Sequence, residues 1–195
     1  IDEGKPLGIS ILYNDAGVQN TIHFNRTVAD PVKAQIFGDK NFRIGMSHAI
    51  DRQEIVDIVY FGEGNMRQVS PNEDSPLYNE QLSTQYLEYS VDLANEYLDK
   101  VLPDKDADGW RLLPNGEKLS IVFTVQTGDY GLNFLGVAEL LKEYYAAVGV
   151  DIILDVVDND IWSNRRDDNT MEATIYTGEG GVGISVTVGS VGVGL

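Results

Sequence analysis

The chain has 195 residues, 43% of them hydrophobic, with 31 acidic against 14 basic side chains and a formal net charge of −17. That length and apolar content suffice for a real hydrophobic core, and a single lobe is expected. So negative a surface repels a phosphate backbone, so nucleic-acid binding is not expected, and the absence of cysteine excludes disulfides, thiolate metal sites and a cysteine nucleophile.

No run of about 18 apolar residues is present to span a membrane, and no basic, apolar leader opens the chain. It begins on IDEGKPLG, which reads as the interior of a longer protein. Gly8 to Tyr13 (GISILY) and Thr21 to Asn25 (TIHFN) are short β-rich runs separated by the turn-forming NDAG of Asn14 to Gly17. They predict a hairpin or two neighbouring strands, and Asp30-Pro31 breaks the pattern.

Phe42 to Gly62 (FRIGMSHAIDRQEIVDIVYFG) predicts two helical segments hinged at Asp51. Phe42, Met46, Ala49 and Ile50 share a face that must be buried. Asp51 is placed to cap the second segment, with Glu54 three residues on as in a capping box; Ile55, Ile58 and Val59 form its apolar face, and Gly62 is the stop. The two histidines, His23 and His48, lie far apart without ligand spacing, so His23 is read as a half-buried strand residue and His48 as a helix-surface or core-edge residue.

From Gly62 to Tyr89 the chain is polar and proline-punctuated, a long loop expected to be functional or packed on a partner surface, including another part of the same protein. Ser90 caps an amphipathic helix through Leu93, Ala94, Tyr97, Leu98, Val101 and Leu102, ended by Pro103. Asp104 to Gly109 (DKDADG) imitates the start of a calcium loop, but its twelfth position is Asn115, without the bidentate carboxylate, and a turn is the better reading. No metal site is expected.

Lys118 to Gln126 alternates as a strand does; a long helix follows through Leu135, Ala138, Leu141, Tyr145 and Val148, closed by Gly149, and Val150 to Val157 is again a strand. This is a βαβ unit with parallel neighbouring strands, so the fold class is α/β. A short helix around Trp162 to Arg166 and a strand at Glu172 to Tyr176 follow. The chain divides into a lobe over 1–181 and a tail over 182–195, which uses only six residue types and is assigned no function.

FRIGMSHAIDRQEIVDIVYFGEG, at Phe42 to Gly64, resembles the "vRqAlnyAiDRe.iv..v..G.g" signature of extracellular solute-binding proteins of family 5, the dipeptide, oligopeptide, nickel and oligosaccharide receptors of ABC importers. The resemblance continues in order: HFN before it, then Pro76 and Tyr78, SVDLANEYLDK, DKDADGWRLLPNGEKLSIVFTVQ and AVGVDIILDVVDNDIWSNR. It implies one lobe, the carboxyl-side one, of a type II periplasmic-binding-protein fold that closes on a ligand.

The same resemblance implies a monomeric receptor, without cofactor or enzymatic activity, that is periplasmic or a cell-surface lipoprotein, hands its solute to a membrane permease, and has its signal peptide outside this stretch. Peptide-binding relatives supply an arginine after the last βαβ strand and an aspartate in a "gW..D" segment that pairs with the peptide amino terminus. Arg166 matches the arginine. The Trp and Asp positions fall on Gly178 and Gly181, with Glu179 nearby, and a buried ammonium lacking its carboxylate would be costly. The resemblance therefore points to an oligosaccharide held by Trp162, Arg166, Tyr176 and Glu179, with an oligopeptide or dipeptide as the alternative. A carboxylate-based hydrolase is a distant third: no Ser-His-Asp order, HExxH or nucleophile elbow is present.

Overall fold

The computed structural model describes residues 18–71, 73, 75–128 and 131–178. The expected strand at Gly8 to Tyr13, Glu179 and the tail over 182–195 lie outside the described residues. Four strands, β1 (Val18–Phe24), β2 (Ser120–Gln126), β3 (Asp151–Val157) and β4 (Ala173–Gly178), form one sheet in the order β1-β4-β2-β3. β2 and β3 pair in parallel from Ser120 opposite Asp151 to Gln126 opposite Val157, as the βαβ reading required. β4 adds in parallel on the other side of β2, and β1 closes that edge antiparallel to β4. The partner of β1 among the described residues is thus a strand some 150 positions later, a pairing that no local pattern announces.

Among the described residues seven helices accompany the sheet: α1 (Pro31–Gly38), α2 (Lys40–His48), α3 (Arg52–Val59), α4 (Glu80–Thr84), α5 (Val91–Leu98), α6 (Phe134–Ala147) and α7 (Asn159–Asp167). Asp30-Pro31, which breaks the strand pattern as expected, also starts a helix that was not expected. The Asp30 carboxylate accepts from the amides of Val32 and Lys33, and Pro31 stands in the first turn, where its missing amide costs nothing. α1 is then tied to the sheet by Lys33, whose Nζ donates to Ser120 O at 2.8 Å and to Glu172 Oε1 at 2.6 Å.

Phe42, Met46, Ala49 and Ile50 are all buried, at 0–6% exposure. Phe42 and Phe37 meet Phe24 of β1, and Phe24 meets Phe123 of β2, with ring centroids 5.4–6.0 Å apart. These rings join the helical layer to one face of the sheet, where Tyr145 of α6 also packs on Phe123. Each such ring removes enough apolar surface from water to contribute about 1.5–3 kcal/mol.

Asp51 caps α3 as expected, accepting from Glu54 N at 3.0 Å. The reciprocal half of the capping box is absent, because the Glu54 carboxylate accepts from Tyr144 Oη of α6 at 2.7 Å. On the same helix Val59 is buried, Ile55 is partly buried and Ile58 is 56% exposed. The apolar stripe is narrower than its periodicity suggested because α6 covers only one side. Gly62, at φ +82°, donates to Val56 O and closes the helix.

The long loop folds back on the end of α2. His48 Nδ1 lies 2.8 Å from Glu88 O, its ring stacks on Tyr97 at 5.8 Å, and Ser47 Oγ donates to Tyr86 O at 2.8 Å. His48 is buried rather than at the surface. The DKDADG segment is a turn whose Asp106 carboxylate accepts from the amides of Asp108 and Trp110.

Candidate ligand-binding site

Three parallel strands, β4, β2 and β3, end at the same edge of the sheet, the edge where open α/β sheets bind ligands. α7 leaves β3 at this edge. Asp158 caps it, accepting from Ile161 N at 2.8 Å, and Asn159 Oδ1 accepts from Gly128 N in the loop after β2. A side chain at Gly128 would meet that asparagine at 2.3 Å, so glycine is what lets loop and helix meet.

From there α7 crosses the sheet face opposite α6. Trp162 is 3% exposed and donates from Nε1 to Thr174 Oγ1 at 2.9 Å, while Thr174 donates on to Thr124 O at 2.7 Å. One face of the indole stacks on Tyr176 at 4.7 Å, and the Arg166 guanidinium stands 5.3 Å from the same ring's centroid. Tyr176 in turn meets Phe134, the first residue of α6, at 6.3 Å. Trp162, Arg166 and Tyr176 are therefore in one stack, although nine residues separate Arg166 from Tyr176 in the chain.

Trp162 is thus buried, with Tyr176 on its ring and the Arg166 guanidinium beside it. Arg166 is only partly exposed and engages Asp167 through Nε at 2.9 Å and Nη2 at 2.8 Å. Its neighbour Arg165 turns to the sheet and pairs with Asp155. That pair, with Val122, Thr124, Thr170 and Glu172, lines an open depression of about 330 Å³.

Several polar residues here carried no signal in the sequence. Gln126 and Thr21 are buried at the ligand-side edge, and His23 shares their strand face, with burial holding its pKa below the usual 6.5 against the opposing effect of the Thr177 backbone. Arg111, fully buried, donates to Asp99, Asn95, Leu102 O and Val148 O over 2.5–2.9 Å, joining α5 to the end of α6. Its one sequence cue was an arginine set among the apolar residues of GWRLL.

Comparison with family profiles decides what kind of lobe this is: residues 5–184 match "Bacterial extracellular solute-binding proteins, family 5 Middle". The chain belongs to family 5 of the extracellular solute-binding proteins. Among solved structures, this family-5 lobe is similar to an oligopeptide-binding protein OppA, with 30% identity and a TM-score of 0.77 over 84% of this chain and 25% of that one. It is also similar to the oligopeptide-binding protein AppA from Bacillus subtilis in complex with a nonapeptide, at 20% identity and a TM-score of 0.70, covering 85% of this chain and 32% of that one. A third is the periplasmic binding protein MelB from Agrobacterium fabrum in complex with stachyose, at 17% identity and a TM-score of 0.64, covering 85% and 26%. The lobe thus spans about a quarter to a third of the length of these proteins. No curated protein sequence matches.

The mixed α/β sheet is the lobe architecture of these binding proteins. Among the described residues no helix is long and apolar enough to cross a membrane.

Proposed function

We propose that this lobe belongs to the substrate receptor of an ABC importer, a monomer outside the cytoplasm that captures an oligopeptide between this lobe and a second one and passes it to a membrane permease. The 30% identity to an oligopeptide-binding protein across 84% of the chain carries the choice of ligand. The geometry supports it: a sugar reading asks for an open aromatic face, and Trp162 is 3% exposed, with Tyr176 stacked on its ring and Arg166 close by.

In this reading Arg166 offers its free guanidinium donors to a ligand carboxylate, and Trp162 and Tyr176 fix where it stands. The planar fork suits a carboxylate, and stacking on the indole preorganises it at little entropic cost. Glu179, just beyond β4, would face the peptide ammonium in place of the missing aspartate. The work is capture and release, so the solute leaves chemically unchanged.

An oligosaccharide is the second reading, favoured by Gly181 where an amine-pairing aspartate would stand. Calorimetric titration of the full-length receptor with tri- to nonapeptides and with stachyose and mannose oligomers separates the two. Peptide binding that weakens at least tenfold in Arg166→Ala is expected; tight sugar binding with no peptide response overturns the oligopeptide assignment.

A further inference from the structure

A polar row crosses three strands at the ligand-side edge of the sheet. Thr21 of β1 stands opposite Tyr176 of β4. Thr124 of β2 stands opposite Thr174 of β4, so two residues further along both strands Gln126 is level with Tyr176. The two-residue repeat of a strand keeps Thr21, Tyr176 and Gln126 on the face that Thr174 presents to Trp162.

Gln126 is 4% exposed and Thr21 is 7% exposed, yet neither Gln126 Nε2 nor Thr21 Oγ1 has a hydrogen-bond partner. Buried polar atoms are almost always paired, because the hydrogen bonds they lose to water must be replaced. A purely structural role at these two positions would be served better by Leu and Val, which pack without stranding a polar atom. Two stranded polar atoms in one row, at the sheet edge where β2 and β4 end, instead suit a group that arrives with the ligand.

We propose that Gln126 and Thr21 form a hydrogen-bonding subsite for a neutral oxygen of the captured solute, a carbonyl or a hydroxyl. It is separate from the Arg166–Trp162 stack and rests on the receptor reading above. The Gln126 amide N–H and the Thr21 hydroxyl are uncharged donors, so they fit the middle of a ligand and not a charged end. A donor kept from water makes a stronger bond once an acceptor reaches it. Tyr176, partly exposed, lies between the two in the row.

The test uses the full-length receptor and its Gln126→Leu, Gln126→Asn and Thr21→Val variants, titrated with trialanine and pentaalanine in one arm and stachyose in the other. The expected result is a loss of about tenfold in affinity for Gln126→Leu, the worth of one good hydrogen bond. Thr21→Val should lose several fold, and Gln126→Asn should recover part of the loss. Melting temperatures should stay level or rise, since an unpaired buried atom has been removed. Which arm responds identifies carbonyl or hydroxyl as the source of the oxygen. Wild-type affinity in both apolar variants overturns the subsite and leaves the receptor reading standing. A wild-type receptor that binds none of the three probes overturns both.

Discussion

At the scale of single residues, the family signature and the site do different jobs. Asp51 sits in the middle of the signature, and its carboxylate holds the first turn of α3 through Glu54 N. Arg111 lies outside the signature, yet among the described residues it is the largest fully buried side chain, and it donates to four acceptors. The two contributions differ in size because a cap is exchanged for water when lost, whereas stripping Arg111 takes the guanidinium donors from the carbonyls of Leu102 and Val148 in a dry interior. Asp51→Ala should therefore cost about 1 kcal/mol in chemical denaturation, and Arg111→Ala about 3 kcal/mol or more. Equal losses would show that the Arg111 contacts are dispensable. Arg111 was missed in the sequence because arginine is ordinarily read as surface. Only the meeting of α5 with the end of α6 supplies its acceptors.

At the scale of elements, a few close approaches set how the helices sit. A Cβ at Gly45 of α2 would lie 2.7 Å from Leu98 Cγ and 2.9 Å from Ala94 O of α5, so the backbones of these helices touch. Gly149 has the same meaning at the end of α6, with φ +80° and a virtual Cβ 2.4 Å from Gly109 O. Gly45→Ala pits two effects against each other: alanine favours a helix by about 1 kcal/mol, and overpacking costs about 1–3 kcal/mol. Since the α5 carbonyl cannot turn aside as a side chain could, destabilisation should win. A drop in melting temperature of a few degrees is expected, and a rise would mean that α2 and α5 separate freely. Helices α2, α3, α5 and α6 were legible from periodicity and caps. α1 was not, because Pro31 reads as a breaker until its place in the first turn is known. The pairing of β1 with β4 was not legible either, because strand pairing over some 150 positions leaves no local trace.

For the whole molecule, acid should act through two partly buried groups, His23 and Asp151. Burial lowers the His23 pKa below 6.5, with the Thr177 backbone working against it. The unfolded chain therefore binds the proton more readily, and stability is lost as pH falls through 6.5 and below. For Asp151, burial alone would raise the pKa, but hydrogen bonds from Lys118 and Ser120, with the charges of Lys118 and Lys142, together hold it below 3.8. Its contribution is present above that value and is lost as pH falls past it. Unfolding curves across pH 3–8 should thus show an upper acid-sensitive step that disappears in His23→Leu and a lower one that disappears in Asp151→Asn; a wild-type-like upper step in His23→Leu would assign it elsewhere.

The sequence by itself determined the family, the α/β class and the βαβ unit, because signature residues, helix caps and short-range periodicity are local and survive being read one residue at a time. It also brought Trp162, Arg166 and Tyr176 forward as a group. How they are arranged was decided only by tertiary structure. The packing of α7 across the sheet buries the Trp162 indole between them, and strand register sets Thr21 and Gln126 on either side of Tyr176. Both are contacts between distant parts of the chain, which exist only once the sheet has closed.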